Sequence, residues 1–151
     1  MSLNITIREA CAPDLRTLIK YNRALAEESE NISLDETTLR LGIQKAMELN
    51  DCYYFVAELD GKVVGQSMIT SEWSDWRNGV IWWIQSVYVD PDHRQRGVFQ
   101  SILKYIEALI EKHPEVKGLR LYVKQDNKVG ISAYESLGIK NSGYLIHEKY
   151  R

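Results

Sequence analysis

Val80-Ile81-Trp82-Trp83-Ile84-Gln85-Ser86-Val87-Tyr88-Val89, followed by Asp90-Pro91-Asp92-His93-Arg94-Gln95-Arg96-Gly97-Val98-Phe99, is the stretch on which the fold turns. Its first ten residues are the most apolar run in the chain, and near-continuous hydrophobicity suits a central strand covered on both faces. Asp90-Pro91 stops the run, because proline has no N–H for a ladder. Beyond Gly97, the residues Val98, Ile102, Tyr105, Ile106 and Leu109 recur at helical spacing until His113-Pro114. A strand, a glycine-containing turn and a helix in that order put free N–H groups and the positive end of a helix dipole at the turn, where a phosphate can be held. Arg94 and Arg96 bring formal charge to the same place. Neither GxxxxGK[ST] nor GxGxxG occurs, so a P-loop or a dinucleotide fold has no support.

Upstream, residues 4–8 alternate Ile5 and Ile7 with polar neighbours, which predicts a short strand. Pro13 suits the first turn of a helix carrying Leu15, Leu18, Ile19, Asn22, Leu25 and Ala26 on one face. Ser33-Leu34-Asp35-Glu36 has capping-box spacing, and a second helix follows with Leu39, Ile43, Ala46 and Met47 inward, ending at Asn50-Asp51. Residues 53–59 and 63–69 are β-rich runs around Asp60-Gly61-Lys62, a hairpin signal. The polar residues 72–79 predict the next turn. Downstream, Leu119, Leu121 and Val123 alternate as a strand, 128–137 reads as a helix closed by Gly138, and 144–150 can finish the sheet. No repeat or linker divides the chain, so one domain over 1–151 is expected.

Nineteen basic and twenty-one acidic residues give a formal charge of −2, which offers no general attraction for nucleic acid. No apolar run approaches the roughly 20 residues of a membrane span, and the first four residues form no signal core. A cytoplasmic location without membrane or nucleic-acid partners is therefore expected. Cys11 and Cys52 are too few for a disulfide framework and lack CxxC spacing. The three histidines lie far apart in sequence, so no metal site is expected.

Two separated motifs resemble the GNAT (GCN5-related) N-acetyltransferase superfamily. Arg94-Gln95-Arg96-Gly97-Val98-Phe99 is similar to its pyrophosphate loop [RQ]-x-x-G-x-[GA], departing at Phe99, where the family has a small residue. Asn127, followed by Ala133-Tyr134-Glu135-Ser136-Leu137-Gly138-Ile139, is similar to N-x6-Y-x2-LGF, with Ile139 for the usual Phe. The resemblance implies an α/β fold, α+β with a mixed sheet, in the order β-α-α-β-β-β-α-β-α-β(-β). It also implies acetyl-CoA as cosubstrate and a primary amine as acceptor. Main-chain N–H groups over 96–100 would grip the diphosphate, within a cofactor set of Arg94, Gln95, Arg96, Gly97, Val98, Phe99 and Gln100. Val87, Tyr88 and Val89 would pair with pantetheine, Asn127 would bond its arm, and Tyr134 would meet the sulfur. Dimers are frequent in the superfamily, so a homodimer is an open expectation.

The expected chemistry is direct attack by a neutral amine, with neither cysteine as nucleophile. An amine of pKa about 10.4 is nearly all protonated at neutral pH, and removing that proton costs roughly 4 to 5 kcal/mol, so a base must act. Glu72, Asp75 and a water near Gln85 are the candidates. Glu27, Glu28, Glu30, Glu72 and Asp75, with Trp73 and Trp76, are candidates for an acceptor pocket between the first two helices and the loop after Ile69. A CoA-sensing or protein-binding domain without turnover is the alternative reading, and a structural module that binds nothing is a third.

Overall fold

A computed structural model describes residues 4–151. Met1, Ser2 and Leu3, on which the reading of the N-terminus partly rests, lie outside the described residues. Two compact units share the chain, one running to Leu121 and the other over Tyr122–Arg151.

The first unit contains strands β1 (Ile5–Glu9), β2 (Cys52–Leu59), β3 (Lys62–Ser74), β4 (Gly79–Val89) and β5 (Val116–Leu121), with helices α1 (Leu15–Glu30), α2 (Glu36–Glu48) and α3 (Val98–Glu111). The strands lie side by side in chain order, antiparallel except for the parallel pair β4 and β5. Alternation along β2 explains the two-sided core. Tyr54 and Val56 join Leu18 of α1 and Ile43 of α2 in one cluster, with Met68 and Leu39 packed on it. On the opposite face Phe55 meets the Tyr105 ring edge-on at 5.3 Å. There the α3 stripe of Val98, Ile102, Leu103 and Ile106 is buried, as its periodicity requires. A Cβ on Gly65 would come within 2.9 Å of Val98 Cγ1, so glycine is what lets the start of α3 lie against β3.

Several boundaries differ from the sequence reading. The cap of α2 is Asp35 rather than Ser33, because its carboxylate accepts from both Thr38 N and Thr38 Oγ1 at 2.8 Å. The expected turn over 72–79 shrinks to its tip: Glu72, Trp73 and Ser74 pair with Ile81, Val80 and Gly79, and Asn78 at φ 47 makes the reversal. β5 begins at Val116, before the predicted Leu119. The final strand expected over 144–150 is absent. A strand needs a neighbour's ladder and a face to bury, yet Tyr144, Leu145, Ile146 and Tyr150 are 80, 72, 58 and 83% exposed, so odd and even positions alike face solvent.

β1 is tied to the start of α1 by Arg8, whose guanidinium bridges Asp14 at 2.7 Å and Glu58 at 2.8 Å. The Arg8 bonds, helped by the Cys11 N–H, lower the Asp14 pKa to about 2. A folded value below the unfolded one of about 3.9 adds stability that is complete above that pH and lost as pH falls toward 2. Asp14→Asn is expected to lower stability at pH 6 and to flatten its pH dependence between roughly 4 and 2. Denaturant melts at a series of pH values test this, and parallel curves for the two proteins would refute it.

Among the described residues no helix is long and apolar enough to cross a membrane, and no three His, Cys, Asp or Glu side chains gather as a metal site would need.

Candidate active site

Two main-chain hydrogen bonds locate an opening in the sheet. Val80 N–H bonds Glu115 O at 2.8 Å, on the β5 side, whereas Asp90 N–H bonds Val64 O at 2.9 Å, on the β3 side. Residues an even number apart in a regular strand point these groups the same way, so an extra residue lies between them. The register finds it: Gln66 pairs with Tyr88 and Met68 with Gln85, two steps of β3 against three of β4. Ser86, at φ 53, carries the distortion, which costs a non-glycine residue about 1–2 kcal/mol.

Beyond this bulge Tyr88 faces β3, and the N–H and C=O of Val87 and Val89 turn to the other edge. Arg94 Nε reaches the Val89 carbonyl there at 3.0 Å. The β5 register ends at Ile84 opposite Leu121, so among the described residues no strand covers that edge over 85–89. Of the three strand residues expected to pair with a cofactor, main-chain geometry leaves Val87 and Val89 facing the opening.

The edge leads into the loop before α3. Pro91–His93 form one 3-10 turn after Asp90, whose carboxylate meets His93 Nδ1 at 3.0 Å. Gln95 at φ 60 and Gly97 at φ 82 are left-handed, which swings the chain into the helix. Gly97 is the N-cap and, having no side chain, makes no side-chain cap to the first turn of α3. Val98 is buried against β3 while Arg96 and Gln100 are exposed.

The two arginines divide their tasks. Arg94 Nη2 pairs with Glu28 of α1 at 3.0 Å and its guanidinium lies 5.2 Å from the Tyr88 ring centroid, so its charge is already offset. Arg96 makes no ion pair among the described residues and supplies the exposed charge. Burial first, then the bond to Glu28, raises the Tyr88 pKa to about 12, so this hydroxyl stays protonated and serves as a strut.

A polar cluster spans β3, β4 and β5. Glu72 accepts from Trp83 Nε1 at 2.9 Å and from Arg120 Nη1 at 2.8 Å, and Gln85 Nε2 donates to Thr70 Oγ1 at 2.6 Å. Both carboxylate oxygens of Glu72 thus accept a hydrogen bond, one from Trp83 and one from Arg120. Asp75 accepts the Trp76 N–H at 2.9 Å, and Trp73 and Trp76 are exposed. The Cys11 thiol is pushed up by its bond to Asp14 and the Cys52 thiol by burial, so neither is an activated thiolate.

In the second unit, α4 (Lys128–Ser136) starts at Asn127, whose Oδ1 accepts the Gly130 N–H at 2.9 Å. Asn127 is therefore an N-cap, with its amide nitrogen outside that bond. The helix stops through Gly138 at φ 84: Gly138 N–H bonds Glu135 O at 3.0 Å and Ile139 N–H bonds Tyr134 O at 2.9 Å. Leu137-Gly138-Ile139 is thus a helix stop in its own right. Tyr134 lies on this helix, and burial raises its pKa.

Sequence reasoning missed Gln66, Ser86 and Tyr54, and it offered Glu28 for an acceptor pocket without its pairing to Arg94. Only Gln66 and Ser86 had a visible signal, as polar residues interrupting apolar strand runs.

The profile of the Acetyltransferase (GNAT) family matches residues 17–139. A possible acetyltransferase from Clostridium difficile 630 is 40% identical over 99% of both chains, with a TM-score of 0.90. A predicted acetyltransferase from Clostridium acetobutylicum, solved with acetyl-CoA, is 17% identical over 96% of each chain at TM-score 0.79. Glucosamine-6-phosphate N-acetyltransferase from Arabidopsis thaliana is 19% identical, covering 98% of this chain and 99% of its own, at TM-score 0.75. At the two lower identities the likeness concerns the fold alone. No curated protein matches the sequence.

Proposed function

The chain belongs to the acetyltransferase (GNAT) family, and on that premise we propose that residues 1–151 act as one domain transferring an acetyl group from acetyl-CoA to a primary amine of a small molecule or protein. The observation that carries this reading is the uncovered β4 edge at Val87 and Val89 running into the start of α3, where the N-cap is a glycine. Polar main chain opened along an extended path suits pantetheine amides, and N–H groups with Arg96 at the end of that path suit a diphosphate.

In the reaction the amine nitrogen attacks the thioester carbonyl, the C–S bond breaks, and the amine loses a proton. The outward main chain at Val87 orients the carbonyl oxygen and stabilises charge developing on it. Gln85, tied to Thr70, holds the water that carries the amine's proton away, since an amide is no base and Glu72 is paired with Arg120. Asn127 bonds the pantetheine arm through its amide nitrogen, and Tyr134 donates a hydrogen bond to the departing sulfur.

A saturating ligand that binds only the native state stabilises it by about 2.7 kcal/mol at a hundred times its Kd. Acetyl-CoA at that excess is therefore expected to raise Tm by roughly 5–10 °C. Free-thiol release with amines, aminoglycosides, amino acids and peptides tests turnover. The pairing of Glu72 with Arg120 favours one competing reading, a domain that binds acyl-CoA without transfer. A Tm rise with no thiol release from any acceptor would select that reading, and no Tm rise would remove both.

A further inference from the structure

The bulge that opens β4 is held from inside. Gln66, on β3 and 0% exposed, donates through Nε2 to Ser86 O at 3.0 Å. Its Oε1 is buried and has no hydrogen-bond partner among the described residues. From β2, Tyr54 is hydrogen-bonded to the Ser86 side chain. Asn22 of α1 backs Tyr54, its Nδ2 lying 3.5 Å from the Tyr54 hydroxyl and donating to Leu18 O at 2.9 Å. Ser86 is thus gripped at its carbonyl by one strand and at its hydroxyl by another.

A methionine at position 66 would fill a similar volume with no buried polar end left unpaired. An amide that is only half satisfied in a sealed interior calls for a reason, and the reason is what its paired end holds. With Ser86 relaxed to ordinary strand geometry, alternation from Gln85, which faces β3, would carry Ser86 outward and Val87 inward. The Val87 N–H would leave the open edge and enter the ladder with β3.

We infer that Gln66 is a positioning residue for acyl transfer: by holding the Ser86 carbonyl it locks the bulge, and the bulge keeps the Val87 N–H on the edge where the thioester carbonyl lies. The inference rests on the acetyltransferase reading of that edge. Gln66 itself touches no substrate.

The test is Gln66→Met in the full chain, with a second variant that adds Ser86→Gly, since glycine adopts a positive φ without a clamp. In Gln66→Met, kcat is expected to fall by about tenfold to a hundredfold. The Kd for CoA, which keeps the pantetheine arm but has no acetyl carbonyl, should rise by a smaller factor than kcat falls. Exchange of the Val87 amide, followed by NMR in the free protein, should slow as that group enters the ladder. The double variant should recover both kcat and fast exchange, which a merely structural role for Gln66 would not predict.

Unchanged Val87 exchange in Gln66→Met overturns the clamp, and altered exchange with unchanged kcat overturns its role in transfer. If Gln66→Met does not fold, the double variant decides: recovery of fold and turnover supports the inference, and failure of either ends it. A wild-type protein that binds no acetyl-CoA sinks the acetyltransferase reading instead, and Val87 exchange still judges whether Gln66 holds the bulge.

Discussion

Tyr134→Phe should lower kcat for acetyl transfer by about two to three orders of magnitude while moving KM for acetyl-CoA less than about threefold. The leaving thiolate, with a conjugate acid near pKa 8.5, is a weaker base than a phenolate near 10, so full proton transfer from an ordinary tyrosine is uphill. Burial raises the Tyr134 pKa further. The shift disfavours the phenolate, so the hydroxyl keeps its proton through the neutral range and offers a hydrogen bond that strengthens as charge gathers on sulfur. Its contribution therefore belongs to the transition state more than to binding. The pH profile follows: kcat should show no loss from tyrosine ionisation below about pH 10. Steady-state kinetics from pH 6 to 10 checks both statements. Equal losses in kcat and in acetyl-CoA affinity, or a falling limb near pH 9, would remove Tyr134 from this role.

Gly97→Val should raise KM for acetyl-CoA by about tenfold to thirtyfold, with Gly97→Asn staying within about threefold of wild type. Gly97 has φ +82 and a Cβ there would meet nothing within 4 Å, so the position is demanding in conformation and not in space. A β-branched residue resists the left-handed region, whereas asparagine tolerates it. Valine would therefore turn the chain before α3 and misdirect the first-turn N–H groups. Asparagine also adds a side chain, so the contrast isolates the backbone angle from bulk near the ligand. Steady-state kinetics with acetyl-CoA varied measures the KM, and calorimetric titration measures the accompanying change in Kd. Matching losses in the two variants would mean that side-chain bulk, not φ, is what the site rejects.

Both variants act at positions legible in the sequence, and the reason is locality. Gly97 stands between a strand stop at Asp90-Pro91 and a helical stripe from Val98, so its turn follows from neighbours within a few residues. Gly138 closing α4 is legible for the same reason. The two motifs pointed to the family that the comparisons support over residues 17–139. The same local reasoning erred where a partner had to be known. The 144–150 segment has strand-like composition but no ladder, and Ser33 satisfied capping-box spacing although Asp35 makes the better acceptor.

What the chain's order of residues determined by itself is where most strands and helices run and stop, and where a glycine-containing turn leads from strand to helix, because periodicity, proline and glycine act over one or two turns of chain. The tertiary structure alone decided the direction in which Val87 points, since that depends on one extra residue in β4 measured against β3. It alone joined Glu72 to Arg120, 48 residues away, and so gave a candidate base a cationic partner. Register and long-range pairing arise only when strands lie side by side, and hydrogen-bond partners chosen across a sheet leave no periodic trace along the chain.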